Sequence, residues 1–344
     1  MIGDIFNSFV ANNNSNKNEL NMIFDNYQGL KKIKVCSINK FTDNCSKEII
    51  KAHSISKSKV LKNISSDIKG KQILGYFKKT NPLNLIPLFH RIREKYIDIN
   101  TALTFTGLCK FHDNILFETI DNNPFDFNNP QIFFEYTLRN CIYSYYNRLS
   151  NEKGIDESLK FLDSKLFNFS TVENPYAKAI VSEKNIIFRD LEKLCNNLYS
   201  KDNYNNILYK LIPYHGNINI AGCLNIVDKG EAFYITMLPG IENSYIIISA
   251  IKGNNILQIN RFFQLIRSMD ISKFEILLSE ILLQATKINS YVFNYKKFQS
   301  LHISAKNKIY DLLDYENMDK IYDNNIRYEK LGEVPNFIRL MLDT

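Results

Sequence analysis

A chain of 344 residues is too long for one small core, so two domains are expected, and 45% apolar with 23% charged residues excludes a disordered tail-like protein. Residues 1–20 carry Asp4 and the run Asn12 to Asn14, not a basic start followed by an apolar run, and the longest apolar stretch, Tyr245 to Ile251, is far short of the ~18 residues of a membrane span. A cytoplasmic protein without a membrane partner is expected. The net charge of +7 is uneven: residues 31–95 hold sixteen Lys/Arg against four Asp/Glu, and the rest of the chain is acidic. That density suits a phosphate-facing surface; a solvated lysine face is the plainer alternative.

In chain order, residues 5–10 and 20–27 read as short amphipathic helices, making 1–30 a helical extension. Lys34 to Ser37 reads as a short strand, Phe41 to Cys45 as a polar turn, and Glu48 to Ile55 as an apolar-alternating segment. Residues 56–80 are rich in Lys and Ser, with Gly70 and Gly75, and predict a basic, partly irregular insertion. Leu85 to Tyr96 predicts a helix. Ala102 to Gly107 is β-prone, and Leu108, Phe111, Ile115 and Leu116 then recur at helical spacing, which places Gly107 at a strand-to-helix corner. Pro124 and Pro130 mark a domain boundary, giving a module over 31–128 and a second domain over 129–344.

In that second part, Gln131 to Ser150 and Pro175 to Tyr199 predict long helices. Ile207 to Tyr214, Ile218 to Ile226, Ala232 to Leu238 and Tyr245 to Ile251 predict four strands. Helices are expected at 256–268 and 271–287, with shorter ones to the end. The fold class is therefore α+β: a small N-terminal module, then a larger α+β domain with one antiparallel sheet and several helices.

Six cysteines in a reducing compartment are seldom disulfides. Cys141, Cys195 and Cys223 stand apart on patterns that read as core. Cys36 and Cys45 flank a short turn, and Cys109 and His112 are spaced Cys-x-x-His across the first turn of a helix. Four such ligands suit a tetrahedral structural zinc ion, with simple core cysteines as the alternative. His53 lies between the two half-sites, in Lys51-Ala52-His53-Ser54-Ile55.

This order of residues resembles the HNH, or ββα-metal, endonuclease superfamily. That superfamily threads a strand bearing its catalytic histidine between two zinc-ligand pairs and starts a helix with the second pair. The run Thr104-Phe105-Thr106-Gly107-Leu108-Cys109, followed by His112-Asp113, is also similar to uncharacterised bacterial proteins of this superfamily, among which phage defence is a frequent role. The resemblance spans roughly residues 30–128. It departs from the pattern at Ala52, where a carboxylate or imidazole is expected, and at Thr104, near the usual place of an Asn.

The resemblance implies a treble-clef module with Zn²⁺ on Cys36, Cys45, Cys109 and His112. It implies His53 as general base and Asp113 as ligand of a second divalent cation, Mg²⁺ or Mn²⁺, clamping the scissile phosphate. Lys51, Lys57 and Lys59 would neutralise flanking phosphates. Apart from the resemblance, Arg91 and Arg93 on the helix expected there could contact the nucleic-acid backbone, with a solvated helix face as the plainer reading. The implied activity is hydrolysis of phosphodiester bonds in DNA or, less favoured, RNA. The second domain would take a partner or trigger. Two rival readings stand beside it: a zinc-binding nucleic-acid module without catalysis, and an interaction protein without metal.

Overall fold

The computed structural model describes residues 33–42, 44–79, 92–166, 175–196, 198, 201–253, 255–285, 290–313 and 335–342. The expected helical extension over 1–30 lies outside them, as does Arg91. The fold is mixed α+β with two antiparallel sheets, and no helix among the described residues is long and apolar enough to cross a membrane.

The smaller sheet pairs β1 (Ile49–His53) with β5 (Thr104–Cys109), and α1 (Lys110–Leu116) leaves β5 without a break. Gly107 is therefore inside the strand and not at its corner, which falls at Cys109. Its lack of a side chain matters for another reason: a Cβ there would sit 2.8 Å from the Tyr146 ring and 2.7 Å from that of Phe105. A short α2 (Glu118–Asn122) follows, and then α3 (Pro130–Leu166). The latter runs 37 residues, well beyond the expected end at Ser150.

The larger sheet has eight strands and does not respect the expected boundary near 128. In its described part, residues 56–79, the expected basic and partly irregular insertion is largely regular. It forms a short 3₁₀ turn (Leu61–Ile64), β2 (Ser66–Ile68) and β3 (Lys71–Lys79). The helix expected over Leu85 to Tyr96 is, in its described part, β4 (Ile92–Asp98), paired with β3 from Ile73↔Asp98 to Lys79↔Ile92. Across the sheet the order is β2, β3, β10 (Tyr291–Phe293), β7 (Ile220–Asp228), β8 (Glu231–Leu238), β9 (Asn243–Ile251) and β6 (Ile207–His215), with β4 on β3. A Cβ on Gly75 would lie 2.3 Å from the Phe293 ring, so glycine lets β3 and β10 meet.

Both faces of this sheet are covered. Every residue of β8 is buried, the pattern of a strand between two layers. Its alternate residues divide: Ala232, Tyr234 and Leu238 join a core with α3, α4 (Pro175–Cys195) and the small sheet. Phe233, Ile235 and Met237 join a second core beneath α5 (Ile256–Ser268), α6 (Ile271–Ala285), α7 (Tyr295–Ser300), α8 (Ile303–Leu313) and α9 (Phe337–Met341). Cys141, Cys195 and Cys223 are buried in the first core, as their isolation in the sequence suggests.

Two side chains hydrogen-bond α3 to the sheet: Thr137 Oγ1 donates to Ser249 Oγ on β9 at 2.8 Å, and Asn140 makes the larger set of contacts. Asn140 is fully buried, and its Nδ2 donates to the carbonyls of Leu224 on β7 (3.1 Å) and Ile235 on β8 (3.0 Å) and to Thr236 Oγ1 (3.2 Å). A buried polar group loses its desolvation cost only through such partners. Asn140→Ala should lower stability by roughly 1–3 kcal/mol in urea melts, whereas a loss below about 0.5 kcal/mol would mean that apolar packing alone seats the helix.

Candidate metal centre and its surroundings

The chain brings its first cysteine to the site by running beside β5. Val35 N–H donates to Thr106 O at 3.2 Å and Ser37 N–H to Gly107 O at 2.9 Å, so the segment expected as a strand extends the small sheet without forming a regular ladder. Cys36, between these two bonds, is buried beside Cys109. A turn follows, with Asn39 N–H on Cys36 O and Phe41 N–H on Ile38 O. The chain then returns through half-buried Cys45 to β1. Cys109 is the N-cap of α1, and His112 comes from the first turn of that helix.

The ligand atoms of Cys36, Cys45, Cys109 and His112 all lie within 4.8 Å of one another. His112 Nδ1 is 3.2 Å from both Cys36 Sγ and Cys109 Sγ. Zn–S bonds of about 2.3 Å and a Zn–N bond of about 2.0 Å imply tetrahedral edges of roughly 3.5–3.8 Å, which this cluster reaches with little movement. The opposite ring atom, His112 Nε2, is 2.7 Å from Thr42 Oγ1. With Thr42 accepting the Nε2 proton, the Nδ1 lone pair faces the sulfurs, the orientation a metal ligand needs.

The protonation tendencies of the group are mixed: two members lean toward the form that ligates, and Cys36 would have to lose its proton to a bound cation. Burial holds His112 below the ordinary imidazole range, so the ring is the neutral form that ligates. Burial pushes the Cys36 thiol up to about 12. Burial also acts on Cys109, but there the His112 backbone N–H, Ser46 and Cys45 outweigh it and pull the thiol down to about 7. Three sulfurs and one imidazole of this kind form a Cys₃His donor set that fits zinc, and among the described residues it is the one such ligand group.

His53 ends β1 opposite Thr104, half-buried, with Nε2 3.4 Å from Ile99 O. Burial lowers its pKa; the Ile99 carbonyl raises it, Lys57 and Arg139 lower it, and Asp121 raises it. Ala52 is 1% exposed and belongs to the core, so the residue next to His53 faces away from solvent and offers no donor. A register irregularity between Ile50 and Ala52 leaves Lys51 exposed. The Thr104 hydroxyl is used locally, donating to Thr101 O.

Asp113 does not stand open for a ligand. Its Oδ1 is buried with no hydrogen-bond partner and lies 4.0 Å from Arg139, and its carboxyl is raised by burial, against the pull of Arg139. Lys57 is exposed and donates to Asn100 Oδ1 at 3.1 Å. Lys59 is part-buried and donates to the carbonyls of Ile120 and Asn123. Arg93 lies on β4 with its guanidinium 4.7 Å from the centre of the Tyr310 ring, so it belongs to the larger sheet and not to a helix of the module.

Compared with protein-family models, curated proteins and solved structures, the chain finds no match. The arrangement itself has to carry the functional reading.

Thr42, Asp121 and Arg139 escaped the sequence reading. Nothing in a linear pattern marks Thr42 among the polar residues of its turn. Arg139 did leave a signal: it and Glu135 are the two charges between Phe133 and Ile142, a stretch otherwise apolar or neutral. Purified protein should carry one zinc per chain by elemental analysis, and Cys109→Ser should lose it with a drop in melting temperature. Thr42→Val should keep the four ligands yet weaken zinc binding ~10–100-fold in competition with a chelator; unchanged affinity would rule out the hydroxyl as the residue that orients His112.

Proposed function

We propose that the protein is a zinc-stapled nuclease of the HNH, treble-clef type, hydrolysing phosphodiester bonds of DNA, with RNA as the second substrate class. The observation that carries this reading is the convergence of Cys36, Cys45, Cys109 and His112 around a strand pair whose outer strand ends in His53. When bound, zinc would supply folding energy by cross-linking the loop before β1 to the start of α1. Holding β1 against β5 then fixes the place of His53.

In this reading His53 takes the proton from the attacking water. Since Ile99 O can only accept, the Nε2–H donates to it and the Nδ1 lone pair is left to act as base. Burial favours the neutral ring, which is the competent form at neutral pH. Lys51 and Lys57, both exposed near His53 in sequence, would neutralise phosphates on either side of the cut. Among the described residues, the side chains around His53 do not form a second ligand set for Mg²⁺ or Mn²⁺: Ala52 is apolar and Asp113 lies 4.0 Å from Arg139.

That last observation also favours a second reading, in which the module grips nucleic acid without cutting it. Both readings place the protein in phage defence only through the likeness of residues 30–128 to HNH proteins. Supercoiled plasmid and single-stranded RNA, each with and without added Mg²⁺ or Mn²⁺, separate the two. Wild type should cleave, and His53→Ala at matched zinc content should be slower by ~10²–10⁴-fold. Salt-sensitive binding without cleavage by either protein would select the second reading.

The pH dependence has a fixed sign. The pKa of His53 lies below the ordinary 6.5, so the ring is deprotonated and active above that value. The cleavage rate should be flat across neutral pH and fall only as pH drops below 6.5. A rate that rises on acidification would mean that His53 acts as an acid, or not at all.

A further inference from the structure

The three sulfurs of the quartet are close together but not equally placed. All its ligand atoms lie within 4.8 Å of one another. Cys36 is 3% exposed and Cys109 and His112 are fully buried, whereas Cys45 is only half-buried. A small solute arriving from water therefore meets Cys45 first.

Backbone restraint differs in the same direction. Cys36 is flanked by the hydrogen bonds of Val35 and Ser37 to β5, and Cys109 is paired with Ile49 while it starts α1. Cys45 lies in the irregular run 44–48 that leads into β1, where Lys47 takes a left-handed backbone with φ of 59°. A disulfide needs an S–S separation of about 2 Å, so even neighbouring sulfurs must draw together. Cys45 is the one placed to travel, because its segment is neither helix nor strand. Cys141, Cys195 and Cys223 are buried in the core and lie outside the quartet.

We propose that Cys45 is a site of reversible oxidation, at which a hydroperoxide makes a sulfenic acid and the sulfur of Cys36 or Cys109 then closes a disulfide. In the first step the Cys45 thiolate attacks a peroxide oxygen, the O–O bond breaks, and the leaving oxygen takes a proton. With hydrogen peroxide the product is water. In the second step the neighbouring thiolate attacks the Cys45 sulfur, the S–O bond breaks, and the departing hydroxide takes a proton to become a second water. The two sulfurs together lose the two electrons that the peroxide gains.

Two of the four donors are then spent on each other, so a divalent cation held by the quartet would be released. That release rests on the metal site of the preceding proposal, whereas the disulfide does not. Since β1 begins at Ile49 and ends at His53, closure at Cys45 also bears on the strand that carries the proposed base.

The full-length chain as purified is treated with hydrogen peroxide. Zinc is followed with a chromophoric chelator, and non-reducing peptide mapping after alkylation locates the disulfide. The map should show a disulfide that contains Cys45, with zinc released in step and both changes reversed by a dithiol and added Zn²⁺. Cys141, Cys195 and Cys223 should remain thiols. Cys45→His, which keeps four ligands but removes the accessible sulfur, should hold zinc and slow its release by at least ~10-fold.

A disulfide joining Cys36 to Cys109 in the wild type would overturn the proposal. So would Cys45 carried on to sulfinic acid without a partner, no disulfide in excess peroxide, or zinc release from Cys45→His as fast as from wild type. The wild-type map decides the matter even where Cys45→His fails to fold. Zinc content measured before the oxidant is added tests the metal site separately. A zinc-free chain that still forms the Cys45 disulfide would defeat the staple and uphold the oxidation.

Discussion

Three thiols and an imidazole crowded within 4.8 Å form the constraint on which the N-terminal third depends. Without a cation such a cluster is not plain core packing, because one of its sulfurs, Cys109, sits among donors that favour its anion. With a divalent cation the same atoms become a cross-link between a loop and a helix start. The small sheet has only two strands, and an isolated pair of strands is marginal in water. The apolar face of α3 covers β1 and β5, and a cation on the quartet would add a cross-link to that packing.

That dependence runs outward. Once β5 is fixed, Gly107 lets Tyr146 of α3 lie against it, and Phe105 packs on Tyr143 and Tyr146. The same helix uses its neighbouring turn to insert Asn140 between β7 and β8. The two sheets therefore share one helix as a common wall and contribute to one core. A boundary drawn at the prolines near 124–130 cuts through this wall.

The parts of the fold legible in the sequence were those whose signals are local. The Cys-x-x-His spacing, the run from β5 into α1 and the four strands β6 to β9 all carry their pattern within a dozen residues. The strand β4 did not, because its polar residues are satisfied from far away: Glu94 accepts from Tyr310 and from Gln299, more than two hundred residues later. Read alone, Ile92 to Asp98 mixes apolar and charged residues as a helix surface would. The Lys-rich β3 was hidden in the same way, since its pairing with β10 depends on a close approach at Gly75 that no periodicity reports. The end of α3 was underestimated because residues 151–158 are mostly polar and include Gly154, so the hydrophobic stripe is interrupted there although the helix continues.

The candidate site shows the same division between ligands and supports. Residues that hold a metal must be particular types at particular spacings, so the quartet can be read directly. Residues that orient them need only present one atom, and many side chains can do that. Thr42 supplies a single oxygen to His112, and Ile99 supplies a main-chain carbonyl to His53, which no sequence pattern can encode. These two contacts nonetheless decide which nitrogen of each ring is available. His112 turns Nδ1 to the sulfurs because Nε2 is engaged by Thr42. In His53 the Ile99 carbonyl likewise takes Nε2–H, which leaves Nδ1 as the basic atom. Two histidines in one small module thus each have one ring nitrogen turned to an uncharged oxygen, and in both the partner is invisible to sequence pattern.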